Sequence, residues 1–569
     1  FRRVLFRSAF TLVFIIVCIT LKPMADYSGA TISIAAFLSL FVCLIPTTIG
    51  GLLSAIGIAG MDRALRANVI TKSGKAVETA GDVDTLLLDK TGTITIGNRK
   101  ATGFYPVKGM DPQRFVSACL LSSVSDDTPE GKSIIDLGRQ QGAHMRQLCI
   151  EGSHMIKFSA ETKCSGIDLQ DGTEIRKGAY QAIRHIVEAA GNTFPTEIEV
   201  RIDQITSNGG TPLVVSINKE VAGVIELQDI IKPGIQERFS RLRKMGVKTV
   251  MVTGDNPLTA KYIAEQAGVD DFIAEAKPED KMEYIKREQQ AGKLVAMMGD
   301  GTNDAPALKA AHVGLSMGDG TSVAKEASDI TIIDNSFKSI GRAVMWGRSL
   351  YQNIQRFILF QMTVNVAACL IVLAGAFMGT QSPLTVTQML WVNLIMDTFA
   401  AMALASLPPS EQVMKDAPRK RTAFIIDKSM KQSILFMGGT FFVSLLAFLF
   451  ILENYSVSHI LDLIHFNDHT DKGMTAYELS AFFTVFVMLQ FWNMFNARAF
   501  HTGRSAFHLK DCKGFLFIAA FILIGQIAIV QLGGEMFNVT PLSFIDWVLI
   551  ILSTSFVLWF GEALRLIKK

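Results

Sequence analysis

The sequence predicts a multidomain protein in which a doubly wound α/β domain, carrying a second inserted domain, is joined to an all-α membrane domain. Composition is the first observation. Of 569 residues 49% are hydrophobic and the mean hydropathy is +0.32, which is too apolar for an ordinary soluble protein. The second observation is that strand-like apolar runs, loops and helical patterns alternate between residues 83 and 308. That alternation is typical of a parallel sheet covered by helices.

The membrane domain is predicted from apolar runs close to the roughly 20 residues that a spanning helix needs. We expect about eight spans, the first of them short. They lie at residues 9–21, 32–60, 354–377, 386–406, 433–452, 479–495, 514–532 and 544–564.

Basic residues beside these spans predict their orientation. Lysine and arginine cluster after the second, fourth and sixth spans, whereas the loops at 378–385 and 533–543 contain neither. By the positive-inside rule, both termini and the long polar middle of the chain face the cytoplasm.

A carboxylate follows the first strand-like run at Asp89, and the residues after it supply a lysine, two hydroxyls and a glycine, namely Lys90, Thr91, Gly92 and Thr93. Such a carboxylate can attack the γ-phosphate of ATP and form an aspartyl-phosphate, which divides one difficult hydrolysis into two easier steps. The alternative is a simple strand-to-loop turn in which Asp89 caps a helix. Two later segments favour the catalytic interpretation.

The first of these segments runs from Met251 to Asn256, after a β-rich stretch. Its Thr253 and the amide of Gly254 can bind a transferred phosphoryl group, while Asp255 suits the turn itself. Phosphoryl transfer depends mainly on positioning and charge neutralisation.

The second segment runs from Gly299 to Pro306 after the apolar run 294–298, and it contains Asn303 and Asp304. Its Asp300 is the second hard oxygen ligand that a Mg²⁺ held by Asp89 requires. Lys281, at the predicted start of a helix between the two segments, can neutralise a phosphoryl oxygen.

Together these three segments resemble those of P-type ATPases, the ion pumps built on a haloacid-dehalogenase-like phosphorylation domain. The resemblance implies that Asp89 is phosphorylated and that Mg²⁺ is held by Asp89, the Thr91 carbonyl and Asp300. The catalytic candidates are Asp89, Lys90, Thr91, Thr253, Gly254, Asp255, Lys281, Asn303 and Asp304.

The resemblance also implies a domain organisation. We assign residues 61–102 and 231–345 to the phosphorylation domain and 103–230 to an inserted nucleotide-binding domain. The first two spans occupy 1–60, and a six-span membrane domain occupies 346–569.

Two stretches of the insertion resemble the nucleotide pocket of these pumps: Phe158 to Thr162 and Arg176 to Ala179. The resemblance implies that Phe158 stacks on adenine and that Lys177, followed by Gly178, lines the pocket. The alternative is a core phenylalanine and a solvated lysine.

The two parts of the chain resemble different subfamilies of these pumps. Residues 30–308 resemble the catalytic subunit of the bacterial Kdp potassium-transporting ATPase, notably in Cys43 to Gly51 and Asp89 to Asn98. From residue 312 onward the chain resembles a plasma-membrane-type calcium ATPase, as in Leu390 to Thr398 and Phe491 to Arg498. A join within or just after Gly299 to Leu308 is what recombination, or a composite sequence, produces.

The candidate transport residues are polar groups in apolar spans, where such groups are expensive and usually functional. Asn393 and Asp397 are four residues apart and share a helix face, and Asn365 lies in the preceding span. They offer oxygen ligands to a cation, although hydrogen bonding between helices is the alternative. Pro46 breaks its helix and frees backbone carbonyls. Thr47 follows it, where calcium pumps of this type carry glutamate.

These observations lead us to expect a cation-pumping P-type ATPase of the potassium or calcium type. The alternative is a membrane-anchored dehalogenase-like phosphatase or phosphotransferase. The pump interpretation implies Mg²⁺ and ATP as cofactors, the plasma membrane of a bacterium as its location, and lipid, the cation and Kdp-type subunits as partners. The formal net charge of +3 indicates no nucleic-acid partner. The Thr-Gly-Glu-Ser loop of the family's actuator domain does not occur in the sequence, so we expect a fragment that accumulates phosphoenzyme.

Overall fold

The computed structural model describes residues 48–567, except 143–151, 159–161, 379–382, 406, 410, 420–422, 465–473 and 511, and a few isolated positions between 16 and 27. Most of the first two predicted spans lie outside the described residues, and so does Pro46.

The strands of the described chain are numbered in sequence order. They are β1 Val69–Thr71, β2 Thr85–Asp89, β3 Thr95–Pro106, β4 His154–Ile156, β5 Cys164–Asp168, β6 Glu174–Gly178, β7 Thr211–Ile217, β8 Glu220–Ile231, β9 Lys248–Val252, β10 Asp271–Ile273, β11 Val295–Met298, β12 Val313–Met317 and β13 Ile330–Ile332.

The helices are numbered in the same way. They are α1 Thr48–Arg66, α2 Gly74–Ala80, α3 Pro112–Leu121, α4 Pro129–Gln140, α5 Tyr180–Ala189, α6 Thr196–Ser207, α7 Ile235–Lys244, α8 Pro257–Ala267, α9 Pro278–Gln290, α10 Ala305–Ala310, α11 Ser322–Ala327, α12 Phe337–Met378, α13 Val386–Leu390, α14 Asp397–Ala405, α15 Lys428–Asn454, α16 Ala476–Ala499, α17 Lys513–Leu532, α18 Gly534–Phe537, α19 Phe544–Thr554 and α20 Phe556–Ile567.

These elements form two compact units. One comprises the residues up to Ala67 together with Thr71–Asp82 and Ala343–Lys569, and it contains the membrane helices. The other comprises Asn68–Ile70 and Val83–Arg342, and it contains both sheets.

The first sheet has the order β1-β13-β12-β11-β2-β9-β10. The pairs from β13 to β10 are parallel, and the central strand β2 is buried from Thr85 to Leu88. Helices cover both faces of such a sheet, so a continuous apolar run such as Leu86 to Leu88 suits its middle. The predicted doubly wound α/β class is confirmed.

The second sheet is antiparallel, with the order β3-β8-β7-β6-β5-β4. Its two faces bury separate clusters, because successive strand residues point to opposite sides. Val215 packs with Phe115 and Ile134 of α3 and α4, whereas its neighbour Val214 packs with Ile183 of α5 and the isoleucines of α6. The sheet begins at Thr95 and ends at Ile231, and both sheets belong to one compact unit. An inserted domain bounded by residues 103 and 230 stays a prediction.

The membrane unit contains six helical segments that are long and apolar enough to cross a bilayer, among the described residues. They confirm the last six predicted spans. The segments are Phe337–Met378, Val386–Ala405, Lys428–Asn454, Ala476–Ala499, Lys513–Leu532 and Phe544–Leu566.

The second of these segments combines α13 and α14 with a wider π-helical turn at Trp391–Met396. Such turns are frequent at functional sites, and this one contains Asn393. The centre of the unit is aromatic, with Phe360, Phe441 and Phe486 almost fully buried.

Candidate active site at the edge of the parallel sheet

Strand register brings the three predicted segments together. Asp89 is paired with Val252 on one side, and Leu88 is paired with Met298 on the other. Thr253 and Gly299 therefore follow directly at the same edge, where the carboxyl ends of three parallel strands meet.

The loop that follows Asp89 changes direction at Gly92. Gly92 has φ 75°, a conformation that residues with a Cβ rarely adopt. A Cβ at this position would lie 3.3 Å from Asp300 Oδ2. The glycine therefore lets the loop pass close to the carboxylate of the neighbouring strand.

Lys281 links the partly exposed carboxylate of Asp89 to the buried carboxylate of Asp304. Its ammonium lies 2.6 Å from Asp89 Oδ1 and 2.7 Å from Asp304 Oδ1, and only 3% of the lysine is exposed. It lies in the first turn of α9, whereas Asp304 immediately precedes α10. The second oxygen of Asp304 accepts a hydrogen bond from the Gly301 amide at 3.0 Å.

The surroundings of Asp89 shift its pKa in opposite directions. Burial raises the pKa of Asp89 to about 6, and the Asp304 carboxylate raises it as well, while the ammonium of Lys281 lowers it. Burial lowers the pKa of Lys281, but the two carboxylates outweigh burial and the net change is upward. At neutral pH Asp89 is therefore mainly an ionised carboxylate, which is the form that acts as a nucleophile.

Lys90 forms the second buried charge cluster of this edge. Its ammonium lies 2.6 Å from Asp229 Oδ2 and 2.9 Å from Asp255 Oδ2. Sequence reasoning missed Asp229, which lies 139 residues from Lys90 near the end of β8. No local pattern marks it, since the pairing of β3 with β8 brings it to the site.

Lys232 was missed for the same reason. Its ammonium donates to the carbonyl of Gly92. Burial lowers the pKa of Lys232, although the nearby Asp300 carboxylate raises it. The lysine therefore adds positive charge close to the loop that follows Asp89.

Asp300 is held at the edge by three hydrogen bonds. Its side chain accepts from the Met317 amide at 2.8 Å and from Thr93 Oγ1 at 3.2 Å, and its carbonyl accepts from the Thr321 amide at 2.9 Å. Burial raises the pKa of Asp300. Sequence reasoning named Thr93 as a hydroxyl of the motif but did not predict this contact.

The donor set fits Mg²⁺. This ion prefers hard oxygen ligands, usually one or two carboxylates completed by water and phosphate oxygens. Asp89 and Asp300 supply the carboxylates, and the missing Cβ of Gly92 leaves the approach to Asp300 open. The Thr91 carbonyl lies in the same loop, and the Thr91 amide donates to Asp89 Oδ2 at 3.2 Å.

The remaining catalytic candidates lie in loops at this edge. Thr253 is buried, and its hydroxyl accepts a hydrogen bond from the Asp255 amide at 3.1 Å. Gly254 and Asn303 are exposed. Their roles in holding a phosphoryl group stay predictions.

The predicted nucleotide residues belong to the antiparallel sheet. Lys177, on β6, is buried and donates to Asp126 Oδ2 at 2.8 Å and to Ser123 Oγ at 2.9 Å. The alternative of a solvated lysine is therefore excluded. Phe158 is 54% exposed, which excludes a core role and leaves its ring accessible. Gly178 is required by packing, because a Cβ would lie 2.6 Å from the Lys163 carbonyl oxygen.

The predicted transport residues are buried in the membrane unit. Asn365 is 1% exposed and Asp397 is fully buried, while Asn393 is 9% exposed. The side-chain oxygen of Asn365 has no hydrogen-bond partner within the described chain. Gln361, one turn before Asn365 on α12, is a neighbour of Asp397. Their role in transport stays a prediction.

Family models match most of the described chain. The model of haloacid dehalogenase-like hydrolases matches residues 83–312, and a second model of that description matches 282–344. The model "Cation transporting ATPase, C-terminus" matches residues 381–567. One part of the chain is therefore similar to haloacid dehalogenase-like hydrolases and another to the C-terminal part of cation-transporting ATPases.

Curated relatives point to one kind of pump. The potassium-transporting ATPase ATP-binding subunit of Caldanaerobacter subterraneus is 54% identical over 357 residues, which are 63% of this chain and 52% of the relative. The subunit of that name from Deinococcus radiodurans is 50% identical over 415 residues, which are 70% of this chain and 61% of the relative. The chain thus spans little more than half the length of these relatives.

A solved structure supports the fold. The crystal structure of a zinc-transporting PIB-type ATPase in the E2.Pi state is similar, with a TM-score of 0.55 and 26% identity. The similarity covers 70% of this chain and 61% of that one. The fold of this chain is therefore similar to that of a solved P-type ATPase.

Proposed function

We propose that this chain is the catalytic polypeptide of a P-type ATPase that couples ATP hydrolysis, through an aspartyl-phosphate on Asp89, to cation transport. The observation that carries the proposal is the Asp89 carboxylate at the end of the central strand, 2.6 Å from the buried Lys281 ammonium. A cation-ATPase model matches residues 381–567, which favours a pump over a membrane-anchored phosphatase.

Potassium is the proposed ion. Two relatives that are about half identical to this chain are named as ATP-binding subunits of potassium-transporting ATPases. A subunit of that kind implies further Kdp-type subunits as partners. Calcium has weaker support, because one buried aspartate with two amides supplies few of the carboxylates that Ca²⁺ sites use.

In the proposed reaction an oxygen of the Asp89 carboxylate attacks the γ-phosphorus of ATP. A new bond between that oxygen and phosphorus forms while the bond to the β-phosphate oxygen breaks, and ADP leaves with the electron pair. Lys281 stabilises the negative charge that spreads over the transferred group. Mg²⁺, when bound by Asp89, Asp300 and the Thr91 carbonyl, supplies further neutralisation of phosphate charge.

Labelling with γ-³²P ATP tests the proposal. The chain, incubated with Mg²⁺, should form an acid-stable phosphoenzyme that hydroxylamine cleaves. Asp89→Asn should abolish this label, because an amide does not serve as the nucleophile. Asp136→Asn, the same change at an exposed position of α4, should label like the unmodified chain. Full labelling of Asp89→Asn would show that the nucleophile lies elsewhere.

A further inference from the structure

A cavity whose largely apolar wall also carries arginine and serine side chains lies among four membrane helices at the end predicted to face the cytoplasm. Its volume is about 320 Å³, which is in the range of small-molecule sites. It is lined by residues of α12, α15, α16 and α20 and by the loop after α16, all within the membrane unit. Hydroxyl groups on its wall include those of Thr363, Ser429 and Ser433.

Positive charge is concentrated at this cavity. Arg504 and Arg565 line it directly. Arg356 is 5% exposed, and its Nε donates to the carbonyl of Phe500, a lining residue, at 3.0 Å. Arg498 donates to the carbonyls of Ala506 and His508 in the loop after α16.

The carboxylates near the cavity are fewer than the guanidinium groups. Glu562 lies 2.9 Å from Arg565, and Asp427 lies 3.4 Å from His501 Nε2. Among the described residues, no carboxylate lies within 4.0 Å of Arg356 or Arg498. Both arginines donate instead to neutral oxygens, such as the Ala506 carbonyl at 2.8 Å from Arg498. Among the described residues, the wall itself thus carries two guanidinium groups and one carboxylate, with Arg356 and Arg498 behind it, and an anion would compensate the excess positive charge.

The surface below the mouth of the cavity is apolar. Leu566, at the mouth, is 70% exposed. The rings of Phe436 on α15 and Phe560 on α20 stack at a centroid distance of 5.0 Å, so these two helices touch. Leu435 and Trp559 beside them are largely exposed. A strip of this kind accommodates acyl chains but contributes nothing to binding free phosphate.

We propose that this cavity binds the phosphate headgroup of an anionic phospholipid, such as phosphatidylglycerol, whose acyl chains lie along the surface of α15 and α20. Basic pockets between spanning helices on the cytoplasmic side are suited to such headgroups. Ser429 and Ser433 on the cavity wall can donate hydrogen bonds to the phosphate and glycerol oxygens, whereas the Thr363 hydroxyl already donates to the Leu359 carbonyl at 2.8 Å. The site belongs to the membrane unit and does not depend on the ion that is transported.

Native mass spectrometry of the full chain in neutral detergent provides the measurement, with dioleoyl phosphatidylglycerol and dioleoyl phosphatidylcholine as probes. We expect phosphatidylglycerol to be retained more strongly. Arg504→Gln should weaken its retention about fivefold, since one surface arginine contributes roughly that much to binding an anionic lipid. Lys510→Gln removes a charge from the same exposed loop, outside the cavity, and should leave retention within about twofold.

Two further variants act in opposite directions. Glu562→Gln removes the carboxylate of the cavity and should strengthen retention of phosphatidylglycerol. Ser433→Phe fills the cavity and should abolish the preference for the anionic lipid. Equal retention of both lipids, or equal loss in Arg504→Gln and Lys510→Gln, would overturn the proposal. Displacement of the lipid by equimolar inorganic phosphate would overturn the assignment to a lipid.

Discussion

The catalytic edge of the parallel sheet and the centre of the membrane unit both bury carboxylates, but they compensate them differently. At the catalytic edge Asp89 and Asp304 share the ammonium of Lys281, and Asp229 and Asp255 share that of Lys90. In the membrane unit Asp397 is fully buried and has no ion-pair partner among the described residues.

The two regions therefore differ in whether their carboxylates are neutralised before a ligand binds. The catalytic carboxylates are neutralised within the protein, so the edge keeps its arrangement before a nucleotide arrives. The carboxylate of Asp397 has no counter-charge among the described residues, and the amide of Gln361 is its neighbour. A carboxylate without a counter-charge at that depth is costly and is a candidate cation ligand. The three experiments below test this contrast.

The largest effect is expected for Lys281→Met. This change removes the positive charge beside Asp89 and leaves two carboxylates without their partner. We expect the rate of phosphorylation by labelled ATP, measured by rapid quench, to fall at least about 100-fold. Lys286→Met, at an exposed position of the same helix, should retain the original rate. Equal rates in both variants would mean that Lys281 takes no part in the transfer.

A smaller effect is expected at the second charge cluster. Lys90→Met should lower the free energy of unfolding by about 3 to 5 kcal/mol, because Asp229 and Asp255 stay buried without a counter-charge. Adding Asp229→Asn should recover about 1 to 3 kcal/mol of that loss, since the pair is coupled. Pulse proteolysis of the chain in urea measures both values. Strictly additive losses would contradict the coupling.

The smallest effect on stability is expected in the membrane unit. Asp397→Asn breaks no ion pair, so the free energy of unfolding should change by less than about 1 kcal/mol. If the proposed ion is correct, potassium binding to the chain, measured by calorimetry, should nevertheless be lost. Asp546→Asn serves as the comparison, because Asp546 accepts from Ser543 Oγ at 2.7 Å and from the Ile460 amide at 3.0 Å. That variant should lose about 1 to 2 kcal/mol and keep potassium binding.

The two regions differ in how much of each could be predicted from the sequence. Asp89, Thr253 and Asp300 were predicted because each follows an apolar strand and lies in a short, distinctive loop. Their convergence was predictable from the rule that the carboxyl ends of parallel strands meet at one edge. The last six membrane spans were predictable for a similar reason, since length and hydropathy are local properties of the chain.

The partners of these residues were not predictable. Asp229 and Lys232 reach the site because the antiparallel sheet returns the chain next to its starting point, with Thr95 opposite Ile231. Lys177 was predicted for the nucleotide pocket, but its ion pair with Asp126 depends on how α4 packs against the sheet.

The sequence by itself determined which elements form and which residues are candidates for phosphoryl transfer, because both follow from patterns within a few residues. Only the tertiary structure decided how the buried charges are paired and that arginines from separate helices gather at one cavity. Ion pairs and cavities depend on distances between residues far apart in the chain. Those distances are set by the packing of whole strands and helices, which no local pattern records.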